Sequence, residues 1–313
     1  MIRFILGRLL SAVPTVFLAA SAVFFCARIL PGDPALAILG DSASQEAIAT
    51  MREKLGLDQP LMTQYAQFLS GILHGDLGNS MISGHSVLGE VADVIPYTLE
   101  LAVFAIGFGV LLGVPLGIVA ALRSDRLPDY IARVISLVGL SCPAFFIGIC
   151  FILAFSIYWP IFPVIGSGDV VGETGRLKAL IPPGVTLGIT FLAFVARSAR
   201  TSVLEVLPEQ FVRTARMKGI DEGRVILGHI LRNALLPIIT VSGLYFGILL
   251  GNAVITEVIF TRPGLGKLII GALNSRDYVL LQGLTIIYCV IVVVVGLATD
   301  LISAFVDPRL KLT

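Results

Sequence analysis

Six stretches of this chain, residues 9–29, 97–122, 131–159, 179–196, 235–255 and 280–306, are almost wholly apolar. A helix needs about 20 such residues to cross the hydrocarbon core of a bilayer, and even the shortest run falls within the allowed range. Of the 313 residues 56% are hydrophobic and 14% charged, where a soluble domain carries about 25% charged. Only lipid can shelter that much apolar surface. The expected fold is all-α: a polytopic membrane protein with six transmembrane helices. Arg3 and Arg8 precede the first run, which exceeds the apolar length of a secretory signal and lacks a small-residue cleavage site, so it reads as an uncleaved span. The four cysteines (Cys26, Cys142, Cys150, Cys289) all fall in these runs without metal spacing and read as small packing residues.

An even number of spans puts both termini on one side. With the amino terminus inside, the inner segments carry 14 of the 22 lysines and arginines, and the longer outer segments carry 8. Positive charge accumulates on the cytoplasmic side, so both termini are expected there. The long first outer loop should hold two amphipathic helices. One would follow a capping box that begins at Ser42, and one would open at Pro60 and run to about Gly75. They suit either a surface that receives another protein or a lid over the helix ends.

The fourth and fifth runs are separated by a basic, amphipathic interruption at 208–237, PEQFVRTARMKGIDEGRVILGHILRNALLP. Pro208 is suited to the first position of a helix, and Arg213, Arg216 and Lys218 lie towards its negative end. Gly219 is suited to ending it, and Ala215 and Gly219, four apart, would form a flat strip for a partner's surface. Asp221 can cap a second helix whose apolar residues Ile226, Leu227, Ile230, Leu231 and Ala234 share one side, with Val225 as the exception. That pattern predicts a helix along the membrane surface before Pro237 opens the fifth span.

This loop resembles the EAA loop of ABC-transporter permeases, in the form of the oligopeptide, dipeptide, glutathione and nickel branch. Arg213-Thr214-Ala215 stands where the general motif has Glu-Ala-Ala, and Gly219 is its glycine. GRLLSAVPTVF, LPGDP from Leu30, HGDLGNS from His74, EVIFTRPGLGKL, SRDYVLLQG and DPRLK extend the resemblance over nearly the whole chain, which is most like the B-type subunit of the dipeptide permeases. The resemblance implies a type I ABC permease fold in a bacterial inner membrane: a first helix with its outer loop (1–95), a permease core (96–306) and a cytoplasmic tail (307–313). It implies import of di- or oligopeptides, or of glutathione or a nickel chelate, delivered by a periplasmic binding protein. The partners would be a second homologous permease subunit and two ATPase subunits, which bind ATP and Mg. In that family the loop forms the coupling helix seated on the ATPase, which assigns Phe211, Arg213, Thr214, Ala215, Lys218 and Gly219 to coupling.

The chain has no GxxxxGK[ST] with which to hold ATP itself, and no HExxH or GxSxG, so it does not read as an enzyme. An ion-coupled carrier is the alternative class, but Glu100, Glu257 and Asp300 lie towards span ends, where hydration makes an interfacial role the better reading. Glycines recur every fourth residue in the second span (Gly109, Gly113, Gly117) and the fifth (Gly243, Gly247, Gly251). Such ridges let helices approach closely. The fifth-span ridge directly follows the coupling loop, which places Gly243, Gly247 and Gly251 on the translocation pathway. Pro115 and Pro143 are expected to kink their helices.

Overall fold

In lipid a backbone must satisfy its own hydrogen bonds, and the apolar runs accordingly become helices. A computed structural model describes residues 2–29, 34–40, 43–54, 56–163 and 173–306. Its helices are α1 (Ile2–Ile29), α2 (Pro34–Leu39), α3 (Gln45–Lys54), α4 (Leu61–Leu73), α5 (Val87–Leu122), α6 (Leu127–Ser141), α7 (Ala144–Ile152), α8 (Glu173–Val206), α9 (Gln210–Met217), α10 (Glu222–Arg224), α11 (Leu231–Ile259), α12 (Leu265–Asn274) and α13 (Tyr278–Val306), with π-helical turns at Leu153–Tyr158 and Val225–Ile230. Among the described residues five helical segments are long and apolar enough to cross a membrane, or six where the bent pair counts as one span.

The bent pair corrects the reading of 131–159 as one continuous span. α6 and the helix after it meet at 99°. Cys142 and Pro143 both leave helical geometry, at ψ 124 and ψ 140. Proline removes a backbone donor and crowds the residue before it out of the helical region, so the span breaks where a kink was expected. Pro115, by contrast, lies inside an unbroken α5. The LPGDP motif from Leu30, Ser42 of the expected capping box and the 307–313 tail lie wholly or partly outside the described residues. The cap of α3 is Ser44, whose hydroxyl accepts from Ala47 N at 3.2 Å.

The chain divides into two units, one of Leu99–Arg262 with Val294–Thr313, the other of Ile2–Thr98 with Pro263–Val293. The first is organised around α8. Most of this helix's apolar window (78%) is buried, against 17–33% for the other four long helices. α6, α7 and α11 pack on it.

In the second unit Val87, Val91, Leu265, Ala272, Leu280 and Leu284 form a core. Phe24 of α1 meets Tyr65 and Phe68 of α4 at 5.2 Å, and Arg28 donates to Gln64. α4 therefore lies against the first span. The HGDLGNS and SRDYVLLQG motifs, 197 residues apart at their contact, meet in this unit. Ser80 Oγ donates to Asp277 Oδ2 at 2.5 Å, and Asp277 Oδ1 accepts from Met81 N and from Leu280 N, the latter capping α13. Thr98 Oγ1 accepts from Leu265 N at 2.9 Å at the start of α12.

Candidate coupling surface and translocation path

α9 begins two residues later than proline chemistry suggests. Glu209 is its N-cap, in extended geometry, and Pro208 belongs to the turn out of α8. Its end is as expected. Gly219 takes φ +74, its N–H donates to Arg216 O, and Ile220 N donates to Ala215 O. This pair of bonds is a Schellman motif, which needs a residue that tolerates positive φ. Asp221 then caps α10 by accepting from Gly223 N at 3.0 Å.

The two helices of the loop are fastened to each other. Arg216 donates to both carboxylate oxygens of Glu222, at 2.6 and 3.2 Å. That charged hydrogen bond raises the Arg216 pKa above its ordinary value. Val212 and Ala215 are buried, and α9 packs on the π-turn, where Val225 and Ile230 are fully buried. The flat strip expected at Ala215 and Gly219 is thus not formed. Ala215 faces the chain's own interior, and Gly219 is exposed. Phe211 (40% exposed), Arg213, Thr214, Met217 (81%), Lys218 and Gly219 make up the open side. Five of the six residues expected to couple share it. Met217, which the sequence did not single out, is its most exposed apolar side chain.

The surface helix expected before Pro237 is also not separate. Residues Glu222–Ile259 form one helical segment, with the π-turn and Pro237 inside it. In the π-turn hydrogen bonds reach five residues, so Val225 and Ile230 can both turn inward. This shift of phase explains why Val225, the exception on a regular wheel, is buried while Leu227 is 69% exposed.

The two glycine ridges differ. In the second span all three glycines lie against α8. A Cβ at Gly109 would fall 2.4 Å from Phe191 Cδ1, one at Gly113 2.9 Å from Leu192 O, and one at Gly117 2.5 Å from Ala196 O. In the fifth span a Cβ at Gly243 would fall 2.1 Å from Thr299 Cγ2 of α13, so its open side is already taken. Gly247 is half-buried, and Gly251 is exposed with open space before it. The exposed stripe of α11 runs through Leu244, Ile248, Gly251, Ile255 and Val258, whereas Leu249 is buried.

Two ionic clusters in the first unit carry charge that the sequence left unpaired. Asp129 of α6 is fully buried and accepts from Arg200 of α8 at 2.6 and 2.9 Å, from Arg133 at 2.5 Å and from Asp125 N at 2.9 Å. The signal was present as Asp129 and Arg133, one helical turn apart. At the other cluster Glu100 accepts from Arg262 at 2.7 Å and from Arg176 at 3.2 Å. Burial lowers the Arg262 pKa, and the Glu100 charge opposes that. Glu257, expected to be hydrated at a span end, is instead fully buried and interacts with Arg262 through its charge. A buried carboxylate is kept by such a partner.

A family model described as "Binding-protein-dependent transport system inner membrane component" matches residues 113–312, and a model for the N-terminal part of such components matches residues 1–102. The chain belongs to this family. It is a permease subunit of an ABC importer and a multi-pass inner-membrane protein. Relatives include the glutathione transport system permease protein GsiC of Escherichia coli (strain K12), 36% identical over 99% of both chains. GsiC of E. coli O6:H1 (strain CFT073) is 37% identical over the same share. The fold of this permease is similar to that in inward-facing structures of the MetNI methionine ABC transporter, with a TM-score of 0.56 at 18% identity, over 70% of this chain and 97% of that one. An amino acid ABC transporter with histidines gives 0.51 at 19% identity, over 71% and 94%.

Proposed function

We propose that this permease forms half of the translocation pathway for a small peptide-like solute, glutathione or a di- or oligopeptide. A periplasmic binding protein delivers the solute, and two ATPase subunits, which hold ATP and Mg, drive its import. A second, homologous permease completes the path, and both termini face the cytoplasm. The observation that carries this reading is the open side of α9. It presents an aromatic ring, a methionine and three cation-bearing or hydroxyl side chains (Arg213, Thr214, Lys218) on a short helix that the Schellman bonds, the Arg216–Glu222 pair and buried Val212 and Ala215 hold in place. A chain without a P-loop needs such a surface to receive work from one that has it. Kinship to glutathione permeases of 36% identity supports the solute class.

The coupling rod is the helical segment Glu222–Ile259. At 1.5 Å per residue its 38 residues extend about 57 Å, so displacement at α9 is passed to the level of Gly247 and Gly251 without a hinge at Pro237. The pathway is proposed along the exposed stripe of α11 that includes Gly251, with Gly247 at its margin and Gly243 supporting it through α13. Differential contact of the α9 surface with two ATPase states supplies the energy for alternating access.

The test uses the transporter reconstituted with its ATPase subunits and binding protein. Phe211→Glu should change the permease's melting temperature little, because the residue is 40% exposed on the open side of α9, and should abolish vanadate-sensitive uptake of labelled glutathione and dipeptide alike. Normal uptake by this variant would remove α9 from coupling. Uptake of neither solute by the unmodified transporter would refute the solute class while leaving the coupling surface intact.

A further inference from the structure

A cavity of about 750 Å³ lies between α6 and α8. Three arginines border it, Arg133, Arg197 and Arg200, together with the hydroxyl-bearing Ser136, Ser141 and Thr201, and no aspartate or glutamate is among its lining residues. Asp129 sits behind this wall, wholly buried, and takes Nε and Nη2 of Arg200 and Nη2 of Arg133. An arginine has five N–H donors in a rigid fork. Nη1 of Arg200 and both Nε and Nη1 of Arg133 make no hydrogen bond among the described residues, nor does any part of the Arg197 guanidinium. Asp129 and the exposed Asp125, whose Oδ1 accepts from Nη2 of Arg133 at 2.9 Å, thus fix two arginines in direction without exhausting them, and Arg197 has no such partner among the described residues. This is a built receptor for an oxyanion with several acceptor oxygens.

The surroundings identify the anion's source. Leu137 and Leu140 also line the cavity. From it the exposed side of α6 continues through Ile131 (49% exposed), Val134 (59%) and Val138 (54%). In this reading acyl chains cover that face. A ligand that offers a phosphate to the arginines and hydrocarbon to this stripe is an anionic phospholipid. We propose that the cavity between α6 and α8 holds the headgroup phosphate of an anionic phospholipid, with an acyl chain along the α6 stripe. Basic pockets between membrane helices recognise anionic headgroups in this way. Bound there, the lipid bridges α6 to α8 and neutralises the one positive charge by which the three arginines exceed Asp125 and Asp129. The proposal rests on the orientation given above only for the leaflet concerned, the cytoplasmic one, and the retention measurement below does not depend on it.

The complete transporter, permease with its ATPase subunits, would be placed in nanodiscs of phosphatidylcholine containing a small fraction of labelled phosphatidylglycerol. Retention of the label through washing with neutral lipid is then measured. The unmodified transporter should retain phosphatidylglycerol in preference to labelled phosphatidylcholine. Arg197→Gln, which leaves the Asp129 pairs untouched, should lower that retention about fivefold, the effect of one interfacial charge. Arg197→Lys should restore most of it. Equal retention of the two lipids by the unmodified protein, or no loss in Arg197→Gln, would overturn the proposal. So would release of the label by millimolar inorganic phosphate or glutathione where unlabelled phosphatidylglycerol fails to displace it, because the cavity would then belong to a soluble anion.

Discussion

The second and fifth spans carry the same sequence device, three glycines at fourfold spacing, and use it differently. In the second span every missing side chain is answered by α8, and at each glycine by backbone as well as side chain: Leu192 N and O, Ala196 O and Arg200 N all lie within about 3 Å of where a Cβ would stand. In the fifth span Gly243 is answered by a single side chain, Thr299, and Gly251 by open space. A ridge of small residues therefore states that something comes close, not what. Where the answer is backbone of the same chain, the ridge is a fixed joint. Where it is a movable side chain or empty space, the ridge is available to what the chain works with.

The largest effect should come from closing the fixed joint. Gly117→Leu would press against Ala196 O, Ala199 Cβ and Arg200 N, none of which can turn aside. It would also push on the backbone that directs Arg200 towards Asp129. Overpacking costs about 1–3 kcal/mol and sometimes more; here about 3 kcal/mol or more is expected. Size-exclusion profiles and melting curves of the purified permease should show most of the protein lost, and a normal melting temperature would mean that the second-span ridge is not a joint.

Gly243→Ala should cost less, about 1–2 kcal/mol, because Thr299 can rotate or shift. Thr299→Ala in the same chain should recover part of that loss. A double-mutant cycle with no coupling would show that the two residues do not meet. Gly251→Ala should change stability by less than about 0.5 kcal/mol, as for an exposed position without special geometry. Gly251→Trp sharpens the contrast: it should leave melting intact and reduce uptake severalfold. Unchanged uptake would place the pathway on another face.

Much of this was legible in one sequence. The helical class followed from apolar run lengths, and the cap geometry from the missing Cβ at Gly219 and the carboxylate of Asp221. The features that were not legible share a cause. Val225 and Leu227 exchange the environments that a 3.6-residue wheel gives them, because the π-turn alters the phase and no residue type announces one. Ala215 reads as a docking surface by size alone, but the same smallness serves the chain's own interior, and only the neighbouring π-turn decides. Cys142 and Pro143 together break a span that composition treats as continuous. Glu257 looks hydrated at the end of its span until Arg262, five residues on, is found folded back towards it.

The bond from Ser80 to Asp277 also has a meaning in time. The ribosome adds roughly 5–20 residues per second, so the 197 residues between those partners take about 10–40 s to appear. Thr98 waits almost as long for Leu265, 167 residues later. The amino-terminal 98 residues therefore reach the membrane while the strand of chain that completes their core does not yet exist. They pass the interval as a half-built unit with buried positions still open, and α12 and α13 are the helices that end the wait.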